Sequence, residues 1–257
     1  MEMETEEIQK SGCVRVPLLA ISDLHLGSEL CKAQTIEAIL SYFEPQELVL
    51  VGDIFDDLNL KRLKRSHFDV LKRISGLAKR GCNVNWIRGN HDEDLADVFA
   101  AFVGADVLDE YVWRWNHKKV IFIHGDQFDT FMEEFPWASA IFTDIYWWFQ
   151  YSLGLIGLDR LADRVCRFCK RHAKGYTRAK RNVADGALEY ARLKSAQHII
   201  CGHTHQKEDR FWKGRHYHNT GCGTEIPVTC ITFTDTEIRR HHFDDEGKEV
   251  NIEILPQ

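Results

Sequence analysis

The chain has 257 residues, 44% of them hydrophobic, enough to bury the core of one domain, with or without an insertion. A formal net charge of −6 argues against a chain that coats nucleic acid, and no stable nucleic-acid partner is expected. No apolar run is long enough to span a bilayer, and the acidic opening "MEMETEEIQK" has no hydrophobic stretch of the signal-peptide kind, so a cytoplasmic protein is expected.

In chain order, "VRVPLLAISD" predicts a strand and "CKAQTIEAILSYF" a helix with apolar spacing near 3.6. "ELVLVGD" predicts a second strand, followed by a charged helix around Leu60–Lys79. "CNVNWIRGN" is a third strand, and "DEDLADVFAAF" opens a helix with acids in its first turn, where the helix dipole favours them. "KKVIFIHGD" is a fourth strand. The alternation then stops, and residues 131–194 read as a helical insertion before strand character returns at "HIICGHTH". Short strands follow in "RHYHNT", "VTCITFTD" and "EIRRHHFD", with His241 and His242 expected on a solvent-facing strand. Strand and helix in alternation imply an α/β domain on a largely parallel sheet. The eight cysteines are scattered; the close pair Cys166 and Cys169 falls in a helical pattern and reads as two core-facing thiols.

Ligand sites in open α/β sheets lie beyond the carboxyl ends of the strands, and the polar residues fall there. The first strand ends in "SDLHLG", giving Asp23 and His25 on one face by the i, i+2 rule. The next ends give Asp53 in "GDIFDD", Asn90, His91 and Asp92 in "GNHD", His124 in "HGDQFD", and His203 and His205 in "GHTH". Each end carries a glycine that lets backbone and ligand crowd together. One such end is an ordinary turn; five in succession, expected at the edge of one sheet, outnumber the ligands of a single ion. Carboxylate, imidazole and amide oxygen without thiolate suit Mn²⁺, Fe²⁺ or Zn²⁺. Two such ions ~3.5–4 Å apart, sharing a carboxylate, hold a hydroxide and clamp an in-line displacement at phosphorus.

D-x-H, G-D, G-N-H-D, H-G-D and G-H-x-H in this order resemble the calcineurin-like metallophosphoesterases over nearly the whole chain. The resemblance implies a layered α/β/β/α sandwich. It implies Asp23, His25, Asp53 and His205 around one metal, and Asp53, Asn90, His124 and His203 around the other. His91 would be the proton donor or transition-state stabiliser, steadied by Asp92. Asp56, Asp57, Asp126 and Asp129 are expected to hydrogen-bond the ligating histidines.

"SDLHLG", "VGDIFD", "HGDQFD" and "NTG", with the helical insertion, look most like the UDP-2,3-diacylglucosamine pyrophosphohydrolase group. That likeness implies Mn²⁺, hydrolysis of the pyrophosphate in a lipid-linked nucleotide on the way to lipid A, and an insertion that caps acyl chains. The chain departs from the group at His91, where arginine is usual, and at Cys222 and Gly223 after "NTG". These departures leave open a phosphodiesterase acting on cyclic or nucleic-acid phosphodiesters. A non-catalytic scaffold on the same fold would show gaps among the ligands, and the sequence has none. Within the insertion, Trp147 and Trp148 sit in a run rich in aromatic residues that suits either an ordinary helical hairpin or a wall for acyl chains. Arg160, Arg164 and Arg167 share one helix face, which suits either solvent or anionic headgroups in peripheral contact with a membrane.

Overall fold

Alternate side chains of β1 (Val14–Ile21) enter two separate apolar clusters, and that split defines the layers. The computed structural model describes residues 13–57, 59–91, 93–129 and 174–257. Leu19 and Ile21 face a cluster shared with α1 (Ala33–Tyr42), α2 (Arg65–Lys79) and α3 (Glu93–Val103). Leu18 and Ala20 face a second sheet, against Val120 and Phe122 of β6 (Lys118–Phe122) and Ile200 of β7 (His198–Cys201). In β2 (Phe43–Val51), Leu48 and Leu50 turn one way and Val49 and Val51 the other. Burying such a side chain stabilises by ~1.5–3 kcal/mol, so strands covered on both faces read as unbroken apolar runs.

The helices follow the apolar spacing. Ile36, Ile39 and Leu40 form the buried face of α1, whose next residue, Phe43, is already extended and begins β2. The charged helix starts at Arg65, later than the sequence pattern predicts. Leu60–Arg62 forms a separate 3-10 turn, in which the Asn59 side chain accepts from Lys61 N.

The strand pattern by itself places the ligand-bearing ends at the edge of one sheet; the structure has the two sheets of the layered α/β/β/α sandwich that the resemblance implies. β3 (Asn83–Ile87) and β4 (Ala105–Leu108) continue the first parallel to β2, while β10 (Val228–Phe233), β11 (Ile238–Phe243) and β12 (Glu249–Ile254) extend it antiparallel from β1. The second has the order β5-β6-β7-β9-β8, with β5 (Tyr111–Trp115), β8 (Asp209–Trp212) and β9 (Arg215–Asn219). It starts from a hairpin whose two loop residues, Asn116 and His117, have φ of 47° and 66°. Positive φ at both positions matches the twist of a two-residue hairpin, yet Asn-His lacks the glycine that makes such a turn visible in sequence. His241 and His242 are buried, contrary to expectation, because both faces of β11 are covered: His241 packs edge-on to Phe43, and His242 shares a face with Arg240, which bonds to Asp209 and Asn219 of the second sheet. His241 Nε2 lies 2.7 Å from the Thr232 hydroxyl, and His242 Nε2 lies 3.1 Å from the Glu253 carboxylate.

The chain divides into two compact units, Met1–Gly125 with Leu188–Gln257 and Asp126–Ala187. The first contains all twelve strands found among the described residues. Most of the expected insertion lies outside the described residues, including Trp147, Trp148, Arg160, Arg164, Arg167, Cys166 and Cys169. Its last part is described as α4 (Lys174–Leu193), where the Tyr190 hydroxyl donates to Glu110 at 2.6 Å. No helix among the described residues is long and apolar enough to cross a membrane.

Neighbouring strands β7 and β9 stack three imidazoles: His198 on His216 at 5.1 Å and His216 on His218 at 6.0 Å between ring centres. His198 is fully buried, and among the described residues neither ring nitrogen has a hydrogen-bond partner. Burial, then the charges of His218 and His216, push its pKa down from 6.5 to about 3. The unfolded chain therefore binds a proton that the fold refuses. This stability is complete above about pH 6.5 and is lost as pH falls towards 3, at up to ~1.4 kcal/mol per pH unit for one proton. Urea midpoints should fall between pH 7 and 5, and less steeply in His198→Leu. Equal slopes for wild type and variant would remove His198 from this account.

Candidate metal centre

Five strand ends meet at one place in the first unit. The loop after β1 crosses beside the loop after β2 through Asp23 N to Gly52 O and His25 N to Asp53 O, both 3.0 Å. Gly202 N, after β7, donates to His124 O at 3.0 Å and draws the second sheet's ends together. Two glycines permit the close approach. A Cβ on Gly89 would strike the Asp53 carboxylate, and one on Gly202 would strike Asp23 and Ser22.

The i, i+2 rule selects residues that the structure brings together, for a reason that proves incomplete. β1 ends at Ile21 and β7 at Cys201, so Asp23, His25, His203 and His205 lie beyond the pleated strands. Asp23, His25, Asp53, His203 and His205 all have left-handed backbones, with φ of 50°, 47°, 53°, 63° and 55°. Each such residue costs ~1–3 kcal/mol unless its surroundings hold it, and strain of this kind gathers at functional sites. These kinks, more than pleat alternation, aim the side chains.

The donor atoms form two groups that share Asp53. Asp23, His25, Asp53 and His205 are one; Asp53, His124 and His203 are the other. Within the first, His205 Nε2 lies 3.1 Å from His25 Nε2 and 3.3 Å from Asp23 Oδ1, and His25 Nε2 lies 3.9 Å from Asp53 Oδ2. Within the second, His124 Nε2 lies 3.3 Å from Asp53 Oδ2. The carboxylates are essentially without solvent contact.

The residues fit a divalent metal. His124 Nδ1 sits 2.9 Å from the Val51 carbonyl, which can only accept, so that nitrogen carries the proton. Nε2 faces the Asp53 carboxylate: protonated it pairs with Asp53, and deprotonated it offers its lone pair to a metal. His25 and His205 likewise turn ring nitrogens on each other. A cation between them converts these oppositions into bonds, and imidazole with carboxylate is the donor set of a Mn²⁺, Fe²⁺ or Zn²⁺ site.

Electrostatics agree. Burial alone pushes the Asp53 carboxyl up, but the charge and hydrogen bond of His124, with His25 and His91, hold it well below the usual carboxylate range. Burial likewise raises Asp23, and His205 and His124 more than reverse it. His25 is raised: burial opposes its charge, and the Asp56 hydrogen bond with the Asp53 and Asp23 charges prevails.

His91 is exposed at the turn after β3. Its amide donates to Asp53 Oδ1 at 3.0 Å, its Nδ1 lies 2.8 Å from Asp56 O, and its ring stands edge-on to His25 at 5.1 Å. Asn90 precedes it in the same exposed turn, and Asp92 lies outside the described residues. Of the expected outer partners, Asp56 reaches His25 Nδ1 at 3.3 Å and is itself held by Arg62 at 2.7 Å. Among the described residues Asp57 reaches no histidine; it takes Asn59 N and Arg62 instead. The sequence reading omits Ser22 and Thr220, whose hydroxyls join beside the Asp23 carboxylate, and Asn219, which donates to Gly202 O and Thr204 Oγ1. No spacing rule marks them, because β1, β7 and β9 bring them together only in three dimensions.

A buried carboxylate–imidazole centre at the strand ends of a two-sheet α/β sandwich defines a metal-dependent phosphoesterase. The sequence model of the calcineurin-like phosphoesterases matches residues 16–207, and the chain belongs to that family. It is 32% identical to a UDP-2,3-diacylglucosamine hydrolase of Chromohalobacter salexigens over 73% of this chain and 79% of the relative. It is 23% identical to the 3',5'-cyclic adenosine monophosphate phosphodiesterase CpdA of Escherichia coli over 87% and 79%. The solved structure of Vacuolar Protein Sorting 29 from Cryptosporidium parvum shares the fold, with a TM-score of 0.50, 14% identity and 93% and 95% coverage.

Asp56→Ala should weaken divalent-metal affinity ~10–100-fold, the usual loss when a ligand's outer hydrogen bond is removed. Competition with a chromogenic chelator measures it. Wild-type affinity would mean that Asp56 serves only to anchor Arg62.

Proposed function

We propose that this protein hydrolyses the pyrophosphate of UDP-2,3-diacylglucosamine or a related lipid-linked nucleotide, using two divalent ions, Mn²⁺ in the cell. The observation that carries the chemistry is the pair of donor groups sharing Asp53. The substrate class rests on the relatives named UDP-2,3-diacylglucosamine hydrolase, 26–32% identical over 73–74% of the chain.

In this reading Asp23, His25, Asp53 and His205 hold one ion, and Asp53, Asn90, His124 and His203 the other. Bound ions would supply an activated water and positive charge for the attacking and leaving oxygens of an in-line displacement. The chain's own contribution is orientation and proton supply. Asp56 and the Val51 carbonyl fix the tautomers of His25 and His124. His91 is anchored through its amide and Nδ1, which leaves Nε2 for the leaving oxygen, with Asp92 steadying it. The insertion at 131–194 would cap the acyl chains with Trp147 and Trp148. Arg160, Arg164 and Arg167 would meet phosphate or headgroups, placing a cytoplasmic enzyme against the inner membrane face.

A second reading, a phosphodiesterase acting on cyclic or nucleic-acid phosphodiesters, is favoured by His91 in place of arginine and by the likeness to CpdA. Mn²⁺-loaded protein assayed on the UDP-diacyl sugar, its deacylated form and cyclic AMP separates the two. Preference for the acylated substrate is expected; preference for cyclic AMP would replace the first reading with the second.

His91→Ala should lower kcat ~10²–10⁴-fold while metal content survives. The loss should shrink for a p-nitrophenyl leaving group, which needs less help than an alkyl one. Equal losses for both leaving groups would give His91 a positioning role.

A further inference from the structure

A cavity of about 260 Å³ opens beside the first metal-binding loop, between the N-termini of α1 and α2. The residues at both helix starts, Lys32 and Lys64, line it, as do the hydroxyl-bearing Ser28 and Ser66. The Lys32 side chain makes no cap at α1, and at α2 it is the His67 ring that takes the N-cap amide of Lys64. The amides of Gln34, Thr35, Arg65 and Ser66 belong to first turns and have no acceptor in their own helices.

His67 is the decisive lining residue. It is 2% exposed, and its Nδ1 accepts from Gly27 N at 3.2 Å and Lys64 N at 3.1 Å. A ring nitrogen that accepts carries no proton, so Nε2 bears it and is a donor. No group among the described residues accepts from Nε2, and His67 is one of the residues that line the cavity. Lys32 has no carboxylate partner among the described residues. Lys64 pairs with the largely exposed Glu29 at the rim.

We infer that this cavity is a phosphate-binding site separate from the metal centre, taking inorganic phosphate or the phosphate of a monoester. Its donors are the N–H of the buried His67 ring, two hydroxyls, first-turn amides and the Lys32 ammonium, which has no carboxylate partner among the described residues, a set that matches a tetrahedral oxyanion. Two helix dipoles add positive potential at the same point. A metal cation finds no inner carboxylate: Glu29 is engaged with Lys64, and Asp245 is exposed. The site is wired to the metal-binding loop, since Gly27 N bonds to His67 and Ser28 N donates to His25 O at 2.9 Å.

Equilibrium dialysis of radiolabelled phosphate against the Mn²⁺-loaded full chain counts the sites, because phosphate can also meet the metals. Asp53→Asn should keep one bound phosphate. Lys32→Glu should weaken that site at least ~10-fold, since it turns a charge-assisted donor into a repelling charge. His67→Asn should weaken it too: the amide oxygen replaces Nδ1 as acceptor for Gly27 and Lys64, while the Nε2 donor is lost. Melting temperatures near wild type exclude unfolding as the cause. Competition by a sugar 1-phosphate against inorganic phosphate identifies the source, with the tighter competitor being the form that the site takes. Two results would overturn the inference: no phosphate bound by Asp53→Asn, or wild-type phosphate affinity in both Lys32→Glu and His67→Asn.

Discussion

The structure turns on one buried carboxylate. Asp53 is almost wholly removed from solvent yet stays ionised, because imidazoles from other strand ends face it and the amide of His91 donates to it. An ionised carboxylate buried alone costs several kcal/mol, so its partners cannot drift away without destabilising the fold. His25 follows β1, His124 follows β6 and His91 follows β3. Holding Asp53 therefore means holding the carboxyl ends of both sheets against each other.

That requirement explains the local backbone. Gly89 and Gly202 stand where a methyl group would collide with Asp53 or Asp23. The five left-handed residues at the centre are strained positions that an isolated loop would relax. The two sheets, packed through Val49, Phe122, Ile200 and Phe233, supply the rigidity that holds them. The result is a preorganised set of nitrogen lone pairs and oxygens turned on one another, which is satisfied when cations sit among them. The same rigidity supports the chemistry. An in-line displacement at phosphorus needs the attacking oxygen, the phosphorus and the leaving oxygen held in line, and fixed ligands supply that without reorganisation.

Much of the centre was legible in the sequence because each ligand stands within a short motif at a strand end. Asp23, His25, Asp53, His124, His203 and His205 were all named, and the structure gathers their donor atoms. What was not legible was long-range. The motifs imply two sheets, but which strands pair in each does not show in local pattern, and the Asn116–His117 turn that starts the second has no glycine to announce it. Both faces of β11 are covered, by Phe43 on the side of His241 and by the second sheet on the side of His242, which no pattern local to "RRHHF" reveals. His67 was missed for the same reason: its role comes from Gly27, forty residues away in sequence, and from the start of its own helix.

Sharing of Asp53 between two ions is the central claim, and Mn²⁺ anomalous scattering from crystals of the metal-loaded protein tests it most directly. The account predicts two peaks ~3.5–4 Å apart, both in contact with the Asp53 carboxylate. A single peak, or two peaks of which only one touches Asp53, would contradict it.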